Sequence, residues 1–526
     1  LINIYDHDCS MHFPEGDAGG MEAAMTAGHI PEIMSFSTYE EIITTLKKPA
    51  YVPVSMNVPE PRADPAAIYA DLETTEGFLL ESMEGVPKRA VRSIIGIRPL
   101  ASLSISETLE VTGEYGDVIS EIVRKDGNIC KPSDVLRRIC STISGYTPDR
   151  CTFTGGMAGY CRYDLVSSIT DGMVKTGTEE GPVIRLQIPG ELIIFDHVAH
   201  SCLIIAGTMV MDGDDIQQKY QDAVRKVQNL HRTISTSKLR KEVHPIHKTP
   251  LSLPDHDRIP FEESVEKALN HIRAGDIFQV VLSRQVSLPY NKDPYTIYKV
   301  LRQINPSPYL YYFHFGDEAI IGSSPEMLVK TEGKMITTVP IAGTRPRGKT
   351  DAEDDALARD LLSDPKERAE HLMLVDLARN DIGRVSEFGT VKVSEFMSVE
   401  KFSHVQHITS IVTGELQEDK DPVDALEACF PAGTVSGAPK IRAMQIIQDL
   451  EPVSRGLYSG AVGYLDFQGL MEFAIAIRTV IVKNNIATCQ AGAGIVADSV
   501  PSREFEETQA KAGAMAQAIF AAGELS

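Results

Sequence analysis

A chain of 526 residues, 43% of them apolar, can bury more than one compact core, so two domains are the default expectation. Its 73 acidic against 51 basic residues give a formal net charge of -22, which argues against nonspecific attraction to nucleic acid or to an anionic membrane surface. No stretch approaches the roughly 18 uninterrupted apolar residues of a membrane span, and the first residues lack the order of a secretory signal, so a soluble, cytoplasmic protein is expected.

Residues 1–34, rich in Gly, Met and Ala without a steady period, read as an extension lacking settled structure. From 35 to 237, apolar runs such as "GFLLES", "RSIIGIRP" and "SCLIIAG" alternate with helical stretches such as "GDVISEIVRK", a mixed α and β region. The stretch "SKLRKEVHPIHKTPLSLPDHDRIP", with four prolines and three histidines, places a linker at 238–257. Beyond it, over 258–526, "FEESVEKALNHIRAGD" has the period of an amphipathic helix ending at Gly275, and "IFQVVLSRQVSL" reads as a strand. Strands follow at "YLYYFHF", "AIIGSS", "MLVKTEG" and "MITTVPIAG", with hairpin turns between them. Asp364 and Pro365 make a cap and first-turn pair for a long helix. Further strands at "SGAVGYLDF", "EFAIAIRTVIVKN" and "IATCQAGAGIV" lead to a last helix from about Ser502. Hairpin-linked strands interrupted by helices predict antiparallel sheets in an α+β fold.

Chemistry-bearing residues gather in the second region. Glu367 and Glu370 share one helix face, and Glu504, Glu507 and Lys511 follow an i, i+3, i+7 stripe on another helix. One acidic face reads as solvated surface; two of them, near a basic loop and a Gly-rich turn, point to Mg2+, which takes hard carboxylate oxygens. In "TTVPIAGTRPRG" a strand runs into Gly343, Thr344 and two arginines, Arg345 and Arg347. Gly492 and Gly494, in "QAGAGIV", expose backbone amides that suit an anion or else mark a strand bulge. Arg478 is a charge inside an apolar strand and needs an anionic partner, either a glutamate of the chain or a ligand carboxylate. Thr434 and Ser436 lie in a turn leading into a helix whose N-terminus favours an anion. His404 and His407, three apart and without a further metal-ligand pair, suggest one hydrogen-bonding or proton-transferring histidine. The eight cysteines are scattered, with no pattern of a zinc site or a disulfide framework.

In order and spacing, "AGDIFQVVLSR", "NPSPYLYYF", "PIAGTRPRG", "AEHLMLVDLARND", "GTVSGAPKIRAMQ", "GAVGYLDF", "QAGAGIVADSVP" and "ETQAKA" resemble the chorismate-utilising enzymes, and among them the large subunits of anthranilate synthases. The resemblance is dense from Arg258 to Gln517 and thin before it, apart from "FLLESMEG". It implies two packed antiparallel sheets flanked by helices, the first region serving regulation and the second catalysis. It implies Mg2+ held by Glu370 and Glu507, with Glu367 and Glu504 in the same shell and Lys511 supporting a metal-bound carboxylate. Substrate contacts fall on Gly343, Thr344, Tyr458, Arg478, Gly492, Ala493 and Gly494, and catalytic positions on Glu370, His407, Thr434 and Gln279. Glu370 or a neighbour would protonate the departing 4-hydroxyl of chorismate, and His407 would assist the later loss of pyruvate.

Two positions choose among relatives. Those that add water carry a lysine base where this chain has Gln279, and aminodeoxychorismate synthases carry a nucleophilic lysine where it has Ala342. With neither, the resemblance implies direct amination of chorismate at C2 to give anthranilate; the alternatives are an aminodeoxychorismate synthase that dispenses with the lysine, or an inactive ligand-sensing paralogue. No cysteine sits in a nucleophile turn of a glutaminase, so ammonia is expected from a separate glutamine amidotransferase subunit. "FLLESMEG" and "NPSPYL" match the family's tryptophan-inhibitor element, implying contacts at Leu80, Glu81, Ser82, Pro308, Tyr309 and Leu310.

Overall fold

A computed structural model describes residues 32–525, apart from 73, 85–88, 125–130, 148–151, 177–180, 238–252 and 402–404. The expected extension up to residue 31, most of the expected linker, and His404 therefore lie outside the described residues.

The α+β expectation holds. Alternating apolar runs pair into one sheet of 12 strands and a second of 11, and all the long pairings among the described residues are antiparallel. Helices cover the outer face of each sheet. Helices Ile216–Thr236, Pro294–Ile304 and Pro501–Glu524 pack on the first sheet, and Pro132–Thr142, Pro365–Gly383 and Pro422–Cys429 on the second. The inner faces meet through aromatic rings, with Phe78, Phe313 and Phe315 from the first sheet against Phe153 and Tyr160 from the segment beside and within the second. Tyr160 stands edge-on to Phe315 at 5.5 Å, the geometry that aligns a ring's positive edge with a negative face.

The two sequence regions are interlocked through both sheets. In the first, strand Tyr309–Phe315 pairs with Glu76–Glu84, setting Leu310 opposite Glu81. In the second, Ala461–Asp466 pairs with Gly156–Cys161, setting Gly463 opposite Gly159. Neither region completes a sheet alone.

Three segments depart from the sequence expectation, and they build the site. "MITTVPIAG" is two strands, Met335–Thr338 and Ile341–Pro346, because Pro340 cannot donate to a ladder. "EFAIAIRTVIVKN" also breaks: Met471–Ile475 belongs to the second sheet and Thr479–Lys483 to the first. Arg478 is therefore not inside a strand but at the crossing, with φ +50°. Likewise "AIIGSS" and "MLVKTEG" do not form a hairpin; Glu318–Ser324 lies in the first sheet and Met327–Glu332 in the second, with Pro325 and Glu326 between them. Hydrophobic periodicity identifies strands but carries no information about which sheet each joins.

Candidate active site

The two crossings lie side by side. Ser323 N donates to Arg478 O at 3.1 Å, and Ile475 N to Glu326 O at 3.0 Å, so backbone bonds fix both side chains at the seam between the sheets. Glu326 is 8% exposed and near Arg478. Burial pushes its carboxyl up to about 8, with the Thr434 hydroxyl and the Arg478 charge pulling the other way. At neutral pH this is a buried acid that keeps its proton. Thr434 Oγ1 faces that carboxyl but closes no well-formed hydrogen bond, leaving a buried hydroxyl unsatisfied. Burial lowers the Arg478 pKa and the nearby Glu326 opposes this; a protonated Glu326 is a polar neighbour of the guanidinium, not the anionic partner the sequence calls for.

The loop after Pro340 approaches the same seam. Strand Ile341–Pro346 pairs with Val405–Glu415 through a register shift between Ala342 and Arg345, which bulges out Gly343 and Thr344. Gly343 sits at φ +68°, and a Cβ there would lie 3.0 Å from a Glu367 carboxylate oxygen, so both backbone angle and space favour glycine. His407 Nδ1 donates to Gly343 O at 2.7 Å, with Thr344 Oγ1 at 3.2 Å from the same nitrogen. That bond leaves the basic lone pair of the neutral ring on Nε2. Burial lowers the His407 pKa and Arg478 adds to the effect, so the ring is neutral at pH 7. Ala342 is buried opposite Ile408. The loop arginines are engaged within the protein: Arg345 reaches Asp360, Asp364 and Glu367 at 2.7, 2.9 and 3.2 Å, and Arg347 pairs with Asp354. Arg345 braces the loop against the end of helix Asp351–Ser363 and the start of Pro365–Gly383, which Asp364 caps, and Arg347 against the first turn of Asp351–Ser363.

That helix, Pro365–Gly383, carries Glu367 and Glu370, and Pro501–Glu524 carries Glu504 and Glu507. Burial raises the Glu370 pKa, the charges of Glu367 and Glu507 add to it, and the Lys366 charge and the nearby Gln279 side chain oppose it. Glu504 is raised by burial and then by Glu507. The sequence thus places four carboxylates from two helices within one electrostatic neighbourhood. Glu507 pairs with Lys511 at 2.7 Å, and Lys511 also donates to Gly492 O at 3.0 Å, joining the acidic helix to the Gly-rich strand. Among the described residues no three His, Cys, Asp or Glu side chains form a ready-made metal cage. The donor chemistry nevertheless suits a hard divalent cation: oxygens alone, with mutual repulsion that such a charge would relieve.

Strand Ile486–Ile495 completes the wall. A Cβ on Gly492 would fall 2.5 Å from Tyr458 Oη, and one on Gly494 2.8 Å from Gln279 Nε2. Gly492 is required for close approach, since a Cβ there would also lie 2.9 Å from Leu282 O, whereas at Gly494 the Gln279 side chain would have to move; Ala493 turns into the core opposite Leu282. Burial pushes the Tyr458 phenol up to about 12, keeping it a neutral donor. Gln279 Oε1 is buried without a partner, a second unsatisfied polar atom at the site.

The structure thus brings together Gln279, Gly343, Thr344, Glu367, Glu370, His407, Thr434, Tyr458, Arg478, Gly492, Gly494, Glu504, Glu507 and Lys511, linked by the contacts and charges just given. Sequence reasoning missed Glu326. The signal available was a Pro-Glu step between two apolar runs, a carboxylate with no polar neighbour on its C-terminal side.

The second motif group divides. Leu310 lies opposite Glu81 and Tyr311 opposite Leu80, so alternation puts Leu80, Ser82 and Tyr309 on the inner face and Glu81 and Leu310 on the helix-covered face. Glu81 is 2% exposed and accepts from Arg302 at 2.7 and 3.1 Å and from Tyr298. Its carboxylate is a core anchor. On the inner face, Tyr309 and Tyr464 each donate to Glu472 at 3.0 Å. Pro308 precedes the strand.

The profile of chorismate binding enzymes matches residues 104–517. Anthranilate synthase component 1 of Acetivibrio thermocellus is 43% identical over 501 residues, 94% of this chain and 100% of that protein. The component 1 of Aquifex aeolicus is 43% identical over 86% of this chain and 92% of its own. Among solved structures, anthranilate synthase component I from Streptococcus pneumoniae superposes with TM-score 0.68 at 38% identity, covering 82% of this chain and 93% of that one. The menaquinone-specific isochorismate synthase of Escherichia coli, at 20% identity and TM-score 0.64, shares the fold.

Proposed function

The chain belongs to the chorismate binding enzymes, and on that premise we propose that it is the large subunit of an anthranilate synthase, a lyase that aminates chorismate at C2 and eliminates pyruvate. The observation that carries this choice within the family is the pair Gln279 and Ala342: a site with an acid, a neutral histidine and four carboxylates, but neither a lysine base nor a lysine nucleophile. Ammonia is already a nucleophile and needs neither.

Arg478, Tyr458 and the amides around Gly492 would hold substrate carboxylate. Glu370 and Glu507, with Glu367 and Glu504, would hold Mg2+, which when bound supplies positive charge to a ring carboxylate and lowers the barrier to displacement. Glu326, not Glu370, is the better general acid. It is buried, protonated at neutral pH and set against Arg478, which would stabilise the carboxylate left after the proton passes to the departing 4-hydroxyl. The carboxylates of the acidic helices have the opposite task of staying charged. The Gln279 side chain, beside Glu370, would orient that carboxylate. His407, neutral and oriented by Gly343 O, would then take the C2 proton as pyruvate leaves and the ring becomes aromatic.

Ammonia would come from glutamine through a partner amidotransferase subunit in the cytoplasm. Tryptophan would act as feedback inhibitor at the inner face around Leu80, Ser82 and Tyr309. The test is direct: purified chain with chorismate, Mg2+ and ammonium salt is expected to give anthranilate fluorescence and pyruvate in equal amounts. Formation of 4-amino-4-deoxychorismate, or no product from folded protein, would overturn the reading.

A further inference from the structure

Behind Glu326, on the side of the second sheet's helices, is a cavity of about 40 Å3. One water needs roughly 10–15 Å3 on this measure, so the space suits about two or three. Its polar lining is Glu326, Thr434, Thr338 and Asp381, with Leu374 and Ala378 among its apolar walls. Thr338 already donates to Leu328 O at 3.0 Å, whereas Thr434 Oγ1 is buried and unsatisfied. Asp381 is 8% exposed; burial raises its pKa, and Lys440, bound to it at 2.7 Å, pulls the other way toward the charged form. Water trapped in such a space has a hydroxyl, a carboxyl and a carboxylate to bond, within the two to four partners an internal water requires.

We propose that this cavity receives the oxygen that leaves C4 of chorismate, and that Asp381 and Thr434 are positioning residues for the resulting water. The inference rests on Glu326 being the acid of the proposed reaction. The C4–O bond breaks with its electron pair going to oxygen; that oxygen takes the Glu326 proton and becomes water. The new C2–N bond forms as ammonia loses a proton, and that proton returns to Glu326, so each turnover is balanced without an external acid. A product water formed against a buried carboxyl must go somewhere other than the substrate's own volume, and this cavity adjoins the carboxyl that makes it. Asp381, an acceptor only when ionised, orients the water's hydrogens toward itself and its oxygen lone pairs toward the Glu326 proton.

Two measurements test this. A high-resolution crystal structure is expected to show ordered water bonded to Thr434 and to Glu326 or Asp381; a dry cavity would contradict the proposal. Filling the space with Ala378→Leu, which leaves the polar lining intact, is expected to lower kcat about tenfold, with KM for chorismate and ammonium within twofold and a larger solvent deuterium isotope effect. If that variant does not fold, Asp381→Asn is expected to give the same kinetic pattern, with recovery in Asp381→Glu. A folded variant with unchanged kcat and isotope effect would overturn the cavity's role while wild-type anthranilate formation continued. Wild-type protein that makes no anthranilate would instead overturn the proposed reaction.

Discussion

The site has two sides that treat carboxyl groups in opposite ways. On the helical side, Glu367, Glu370, Glu504 and Glu507 stand at helical spacing, and cations such as Lys511 and Arg345 reach them. On the seam side, a single glutamate sits where the chain passes between sheets, beside Arg478 and Thr434, and burial, which also raises Glu370 and Glu504, carries its pKa to about 8. In the proposed reaction the same residue type would serve as cation ligand in one setting and proton donor in the other, the difference lying in burial and neighbours, not in the side chain.

Removing the seam carboxyl should have the largest effect. Glu326→Gln keeps shape and hydrogen bonding but has no proton to give, and is expected to lower kcat about 10²–10⁴-fold with little change in the KM for chorismate. On the helical side, Glu507→Gln is expected to raise the Mg2+ concentration for half-maximal rate at least about tenfold while kcat at saturating Mg2+ falls less. A smaller but more diagnostic effect concerns stability. The Glu326 pKa in the folded chain, about 8, lies above its ordinary value of 4.5, so its contribution to stability is complete below pH 4.5 and is lost as pH rises through 8. Glu326→Gln should therefore be more stable than wild type at pH 8 by up to about 4 kcal/mol, read as a higher unfolding temperature, and differ little near pH 4. Smallest are effects at the inner-face residues proposed to meet tryptophan. Ser82→Ala is expected to raise the half-inhibitory tryptophan concentration about tenfold, the loss of one hydrogen bond, and Leu310→Met, on the opposite face, to change it less than about twofold.

The two sides also differ in how readily a sequence displays them. Glu367 with Glu370, and Glu504 with Glu507, are legible because helical periodicity is local: residues three apart share a face wherever the helix lies. The cap at Asp364 is local too, and the structure has it. The crossings are not local. Whether "AIAIRTVIV" is one strand or two depends on sheets assembled from residues hundreds of positions apart, such as Gly159 beside Gly463. For that reason Arg478 reads as a strand residue and Glu326 does not stand out at all. The "FLLES" motif differs again: its residues are neighbours in sequence, but strand alternation sends Glu81 to Arg302 and Tyr298 and leaves Leu80 and Ser82 facing inward.

The division between the two sides is tested most directly by the protonation state of Glu326 itself. Infrared difference spectra of wild type against Glu326→Gln at pH 6.5 should contain the carbonyl stretch of one protonated carboxyl, which disappears with a midpoint near pH 8. A difference spectrum with only an ionised carboxylate at pH 6.5 would contradict the account, since Glu326 would then be one more charged glutamate and not the acid of the site.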